Sequence, residues 1–542
     1  MKVRQFFCAL AAAAIVSSPS IAYLSGIEDV VVHKPVKNVI LLIPDGMSTD
    51  GVTLARWYRG GKALHLDAMA SGLVRTYSAD AAIADSAPAG TAMATGHKSH
   101  TGYVGVLPDA NTMPGLPALA PEDRKRPVAS ILEAAKLAGK ATGLIATSEI
   151  MHATPADFSA HDPSRKNYDA LSEQQVYQNI DVVLGAGSKF FEAANRGDRE
   201  DLLAVIKSRY QYVTRPADMR QVSSGKLWGM FSETALAYDM DRDPAAEPSL
   251  AEMTQKAIDL LSQHPDGFFL MVEGSKIDWA AHANDAVGII SDVLAFDDAV
   301  GAALRFAAAD GNTLVIAATD HGNSGITIGN AATTNNYDKL PLASFIAPLQ
   351  KAKLTGEGLE KVLNADRSNV VEVMAEYFGI TDLSAAEIAA IKQAKPGSMN
   401  YAVGPMIGKR ANIGFTTGGH TGGDVTLYVH APANLTQLTG TVENSDIAKY
   451  MAKAIQVSLA ETTQRLFVRA RQALEAKGAK VAFDATDAKN PVIVAVKGGK
   501  EVRLPVNKNI AYVNGSPVTL DGVTVVSGGV AYVPQSAIEL FD

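Results

Sequence analysis

Four apolar runs in this chain end in residues that carry chemistry. Residues 38–43 read NVILLI and break at Pro44, Asp45 and Gly46, and ATGLIAT stops at 147, shortly before His152 and Thr154. FFLMVEG at 268–274 closes on Glu273 and Gly274, and TLVIAATDHG at 313–322 contains Asp320 and His321. An unbroken apolar run, as opposed to an alternating one, is the pattern of a strand buried on both faces, as in a parallel sheet covered by helices. Between the runs lie RPVASILEAAKLAG and AEMTQKAIDLLSQ, whose apolar residues recur at helical spacing. The expected fold is α/β, with a doubly wound, mostly parallel central sheet flanked by helices. In such sheets sites lie beyond the carboxyl ends of the strands. One rim should therefore collect Asp45, the His152 to Thr154 loop, Glu273, and the pair Asp320 and His321.

The 542 residues exceed one ordinary domain. Lys2 and Arg4 precede the apolar run FFCALAAAAIV and then small residues, so 1–22 reads as a secretory signal cleaved after Ala22. Export to the periplasm or medium follows, with no membrane span in the mature chain. Cys8, the one cysteine, falls in the removed segment, which excludes disulfides and cysteine-bound metals from the mature protein. Residues 23–480 read as the main domain, with a loop-rich insertion at 330–410 and one or two helices at 446–477. From 481 to 542 the sequence turns to valine, glycine and turn pairs, and Gly498-Gly499 and Asn514-Gly515 predict hairpins in a small β-rich module. A composition that is 47% hydrophobic and 20% charged excludes disorder, and a formal charge of −8 without a basic stripe disfavours nucleic acid as a partner. VVLGAGSKFF lacks the third glycine of a dinucleotide loop, since position 190 is Phe.

Asp278 and His282 in EGSKIDWAAHAND stand at i and i+4, on one helical face, and carboxylate with imidazole is a zinc-type ligand pair. His420 sits among five glycines in GFTTGGHTGGD, a setting with little core packing. So many acids facing one another would repel unless cations lay between them. Ser86, in YSADAAIADSAPAGTAMATG, admits two readings: helix N-cap or nucleophile. His97, His100 and His161 read as surface or loop residues, and Tyr77 and Thr91 are given no role.

With IPDG, DSAPAGTAMATG, HATPADFSAHDPSRK, VEGSKIDWAAH, TDHG and GGHTG in order, residues 36–432 resemble the alkaline phosphatase family. The resemblance implies phosphate monoester hydrolysis by a catalytic domain over 23–480, through a phosphoserine at Ser86, with Arg165 clamping phosphate. It further implies two Zn²⁺, one on Asp278, His282 and His420 and one on Asp45, Asp320 and His321. A third ion, Mg²⁺ or another cation, would be shared by Asp45, Thr154 and Glu273. His152 and Trp279 mark a variant: some bacterial members carry aspartate and lysine there, so His152 is a candidate third-site ligand and Trp279 a substrate contact. By this reading Ser86 both caps its helix and attacks.

The expected partners are small phosphate monoesters, and the reading allows a homodimer. A phosphodiesterase of the same superfamily is the alternative within the class. The other is an envelope-binding protein working through its C-terminal module. A Ser-His-Asp hydrolase is disfavoured because no G-x-S-x-G elbow occurs.

Overall fold

The computed structural model describes residues 27–542. The expected signal segment and Cys8 lie outside them. The central sheet has ten strands: β1 (Asn38–Ile43), β2 (Ala70–Arg75), β3 (Ala141–Glu149), β4 (Val182–Ala186), β5 (Gln211–Val213), β6 (Leu227–Met230), β7 (Phe268–Glu273), β8 (Thr313–Ala318), β9 (Val425–His430) and β10 (Gly440–Glu443). Their spatial order is β10-β2-β9-β8-β1-β7-β3-β4-β6-β5. Only β9 runs antiparallel to its neighbours, so the mostly parallel sheet read from the sequence is the one that forms.

Strand β1 shows why the apolar runs are unbroken. Val39, Leu41 and Ile43 enter the core on one face of the sheet, and Ile40 and Leu42 enter the core on the other. With period-2 alternation, only apolar residues at every position satisfy both layers. The covering helices are capped from the sequence. Ser249 and Glu252 form a capping box on Leu250–Leu261, and Asp285 accepts from Val287 and Gly288 to start the long helix Ala286–Asp310, which stops at left-handed Gly311.

The 330–410 segment differs from the loop-rich reading. It holds the helices Ala343–Gln350, Gly356–Val362, Val370–Phe378, Ala385–Gln393 and Met399–Arg410. Pro348, Gly356, Gly358 and Pro405 suggest breaks, but burial of Leu349, Leu359, Val403 and Ile407 against the main core overrides those weak propensities. The capping box of Ser384 and Glu387 was the legible signal.

The β-rich C-terminal module is present, and its predicted two-residue turns form: Gly498, Gly499, Asn514 and Gly515 all have positive φ. Lys480–Asp484 to Ser516–Thr519 make a five-stranded antiparallel sheet, and a three-stranded sheet joins Val468–Arg469, Val530–Val533 and Val525–Ser527. The module's small apolar core already includes Ala470 and Leu474, so helix Ala470–Ala476 packs with it, ahead of residue 481.

His161 is not a surface residue. It is 1% exposed, its Nε2 lies 3.0 Å from Glu133 Oε1, and its Nδ1 lies 2.8 Å from the carbonyl of Gly105. Burial opposes both charges, but the pairing wins: Glu133 is held below its ordinary 4.5 and His161 above its ordinary 6.5. Glu133 thus stabilises the fold above pH 4.5 and loses that contribution as pH falls through its lowered value. His161 contributes fully below pH 6.5 and loses it as pH rises through its raised value. Glu133→Gln should cost about 3 kcal/mol between those limits, because it removes the partner that lets the buried imidazole carry its charge. Urea unfolding of parent and variant should converge at alkaline pH, where His161 is neutral in both.

Candidate active site

Strands β8, β1, β7 and β3 are consecutive neighbours in the sheet, and their carboxyl ends bring the four predicted clusters together. Beyond β1, Gly46 takes φ +69°, and a side chain there would lie 2.6 Å from Asp278 Oδ1. Only glycine lets the Asp45 turn approach the neighbouring helix so closely. Beyond β8, the His321 N–H donates to Asp320 Oδ1 and the Thr319 hydroxyl donates to the His321 carbonyl, fixing the turn that presents both side chains. His321 Nε2 then lies 3.2 Å from Asp320 Oδ2, 3.7 Å from Asp45 Oδ1 and 3.0 Å from Ser86 Oγ.

Beyond β7, the helix Lys276–His282 places Asp278 and His282 on one face, 3.3 Å apart. His420 reaches them through a two-residue antiparallel pairing with Gly322 and Asn323, which fastens the glycine-rich loop to the chain after β8. Its Nε2 is 3.1 Å from His282 Nε2 and 3.7 Å from Asp278 Oδ1, and its ring stacks on His321 at 3.5 Å. His321 thereby touches both ligand groups. Asn323, which the motif reading passed over, donates to Asp278 Oδ1 at 2.6 Å.

Asp45, Asp320, His321, Thr154 and Glu273 are all fully buried. Among the described residues, both carboxylate oxygens of Asp45, Asp320 Oδ2, Glu273 Oε1 and Thr154 Oγ1 have no hydrogen-bond partner. Each orphan of this kind costs about 1–3 kcal/mol, more when charged. Burial, then the charges of Asp278, Asp320 and Glu273, push Asp45 well above the usual carboxylate range. Burial, then the charge of Asp320, carries Glu273 up to about 8 against a hydrogen bond from Ser275. Burial works the same way on Asp278, but the His282 hydrogen bond and the nearby imidazoles hold it low, and that bond lifts His282 to about 8. Buried oxygens without donors, beside imidazoles at 3–4 Å, form a donor set that cations would satisfy.

Ser86 is the first residue of the helix Ser86–Thr95. The cap is Asp85, which makes no side-chain cap bond, so the expectation that Ser86 itself caps is corrected. The Asp85 carboxylate is drawn away to the Arg165 guanidinium and the Gly102 N–H. The first-turn amides of the helix therefore receive no bond from the Asp85 side chain, and Ser86, beside them, lines the cavity. Arg165 also lies 3.1 Å from His152 Nε2. His152 therefore turns toward Arg165, its ring edge-on to Trp279 at 6.0 Å, and burial followed by the Arg165 charge pushes it down to about 3. Neutral at working pH, it can accept from the guanidinium and hold it in place.

A cavity of about 620 Å³ opens over Ser86, Arg165, Asp278, His282 and His420. Its outer wall comes from Trp279, Tyr238, Glu357, Asn400 and Tyr401. Glu357, Asn400 and Tyr401 belong to the segment expected to be loops, and the sequence reading missed all three together with Tyr238. Helix periodicity in 330–410 was the signal that could have found them. His100 stands apart from the cavity, 3.5 Å from Asp80, and His97 is exposed. Thr91 has a structural part, bonding buried Asp157 at 2.7 Å.

Residues 36–457 match the family model "Alkaline phosphatase", and 448–541 match "Copper amine oxidase N-terminal domain". The chain is 36% identical over 440 residues to alkaline phosphatase 4 of Bacillus subtilis, covering 78% of this chain and 89% of that one. The Thermus thermophilus alkaline phosphatase structure superposes with TM-score 0.68 at 26% identity, over 82% of this chain and 98% of that one. The enzyme from the Antarctic bacterium TAB5 gives 0.57 at 27%, over 78% and 99%. The first match spans every residue from Asp45 to His420 that the strand ends assemble, so the chain belongs to the alkaline phosphatase family and is a phosphoric monoester hydrolase.

Proposed function

We propose that hydrolysis proceeds through a phosphoserine on Ser86, with Arg165 and the helix N-terminus holding the phosphoryl group. The observation that carries this is the position of Ser86 Oγ: at the first turn of a helix, in the cavity, 3.0 Å from His321 and on the Arg165 side. Serine needs activation to attack. Two Zn²⁺, one on Asp278, His282 and His420 and one on Asp45, Asp320 and His321, would supply Lewis acidity for the attacking and leaving oxygens. Mg²⁺ on Asp45, Thr154 and Glu273 fits a harder, oxygen-only set. Structures of TAB5 variants with a histidine replaced by glutamate or aspartate are described with Mg bound in the M3 site.

Ser86 Oγ forms a bond to phosphorus as the bond to the substrate's bridging oxygen breaks; the serine proton passes to solvent, and the departing alkoxide takes a proton from solvent and leaves as the alcohol. The Arg165 fork pairs with two non-bridging oxygens, oriented by Asp85 on one side and His152 on the other. Water then opens the serine ester and regenerates the hydroxyl. The contacts address the phosphoryl group, so the reaction is broad in leaving group. Residues 1–22 direct export, so the reaction takes place outside the cytoplasm. Among the described residues no helix is long and apolar enough to cross a membrane.

A diester would esterify an oxygen that Arg165 clamps, which favours monoesters. Aryl and sugar phosphates should turn over faster than a diester of the same aryl group, and the reverse order would refute the reading. Arg165→Ala should raise KM for an aryl phosphate about 10- to 100-fold, the loss of a charge-assisted pair.

A further inference from the structure

Helix Tyr168–Tyr177 carries four consecutive polar residues, Ser172, Glu173, Gln174 and Gln175, all at 2% exposure or less. Buried amides must be satisfied, and Gln174 satisfies its own across a gap. Its Oε1 accepts the His161 N–H at 2.8 Å and its Nε2 donates to the His161 carbonyl at 3.1 Å, so one side chain holds both backbone groups of that residue. His161 begins the irregular segment that presents Arg165. One residue on, Asp162 exchanges two backbone bonds with Val104 at 2.9 Å, and the Arg165 N–H donates to the Gly102 carbonyl at 2.7 Å. The backbone of this loop is thus tied down at three places, of which the Gln174 clamp is the first, beside the His161 ring contacts with Glu133 and the Gly105 carbonyl.

The same Gln174 Nε2 also donates to Asn507 Oδ1 at 3.2 Å, and Asn507 belongs to the C-terminal module, beyond the 36–457 family match. Asn507 is itself well fixed. Its N–H donates to the Thr524 carbonyl at 2.7 Å, its Nδ2 donates to Glu173 Oε2 at 2.9 Å, and its φ of +66° is one that asparagine tolerates better than most residues. Next to it, Lys508 Nζ lies 2.6 Å from Glu200 and 3.4 Å from Glu173, so charge pairs seat this turn on the catalytic domain.

We propose that Asn507 is a positioning residue for phosphate binding: through Gln174 it fixes the 161–165 segment and so the Arg165 guanidinium. The inference rests on Arg165 as the phosphate clamp. The module, on this view, is not a passenger but a brace behind the phosphate-side loop. Because the link acts on a binding group, its loss should weaken phosphate and substrate binding more than turnover.

The test uses the full chain and three variants, with Ki for inorganic phosphate and KM and kcat for an aryl phosphate as readouts. Asn507→Gly deletes the amide while leaving the left-handed backbone unstrained. Asn490→Ala cuts a different bond from the module to the catalytic domain, Asn490 Nδ2 to the Asp198 carbonyl at 3.1 Å. Arg165→Ala marks the clamp itself. Asn507→Gly should raise Ki and KM about threefold to tenfold, the worth of the hydrogen bond that links it to Gln174, and change kcat little. Asn490→Ala should leave all three at the parent value. An unchanged Ki in Asn507→Gly beside a raised Ki in Arg165→Ala overturns the positioning role. So does an equal rise in Asn507→Gly and Asn490→Ala, which would mean general loosening. An unchanged Ki in Arg165→Ala would refute the clamp, and the brace with it.

Discussion

Ser86→Ala is expected to lower kcat/KM at least about a thousandfold, because the residual rate then comes only from binding and electrostatics around a reaction without its nucleophile. The variant should fold, since alanine suits the first turn of a helix that is otherwise Ala-rich and completely buried. It should also retain bound metal, because Ser86 Oγ is only one neighbour of a ligand group that Asp45, Asp320 and His321 complete. Mass spectrometry of enzyme quenched in acid during turnover should find phosphate on Ser86 in the parent and none in the variant. A label on any other residue refutes the nucleophile.

Chelation should have the second large effect, and it should be visible in stability as well as rate. Removing cations is expected to cost about a thousandfold or more in activity, the equivalent of a few kcal/mol of transition-state stabilisation, with recovery on adding Zn²⁺. The stability effect follows from linkage. Asp45 and Glu273 are raised in the folded protein, so the metal-free fold binds more protons than the unfolded chain above the ordinary carboxylate values. It therefore loses stability as pH climbs toward about 8, the value for Glu273. Metal binding runs the other way. His282, lifted to about 8, must shed its proton to become a ligand, so affinity strengthens as pH rises. The gap in Tm between metal-loaded and metal-free protein should widen from pH 5 to pH 8. A gap constant across that range, or full activity at about pH 5 with no bound metal by elemental analysis, would overturn the metal scheme. An alkaline optimum for the reaction follows from the same signs.

Much of the site was legible because strand ends are legible. NVILLI, FFLMVEG and TLVIAATDHG can be read as doubly buried strands without any partner being known, and each one stops where a polar residue appears. That the four ends belong to adjacent strands, β8, β1, β7 and β3, is a property of the crossovers and was not in the runs themselves. The helices of 343–410 were missed for the opposite reason. Their glycines and prolines weigh on local propensity, whereas the apolar faces that hold them in place act only against a core formed elsewhere in the chain.

Periodicity and residue chemistry, acting over a few neighbours at a time, determined by themselves the buried strands and their polar ends and the small β-rich module, and singled out the acids and imidazoles as candidates. Only the tertiary structure decided that Asp85, the residue before the helix, makes no side-chain cap bond, since its carboxylate is claimed by Arg165, 80 positions away. It decided that His161 is buried on Glu133, that His152 faces Arg165, and that Asn507 reaches Gln174 across 333 positions. The physical reason is the same in each case. A polar side chain in a low-dielectric interior takes the partner that packing brings within about 3 Å, and no stretch of local sequence specifies which distant group that will be.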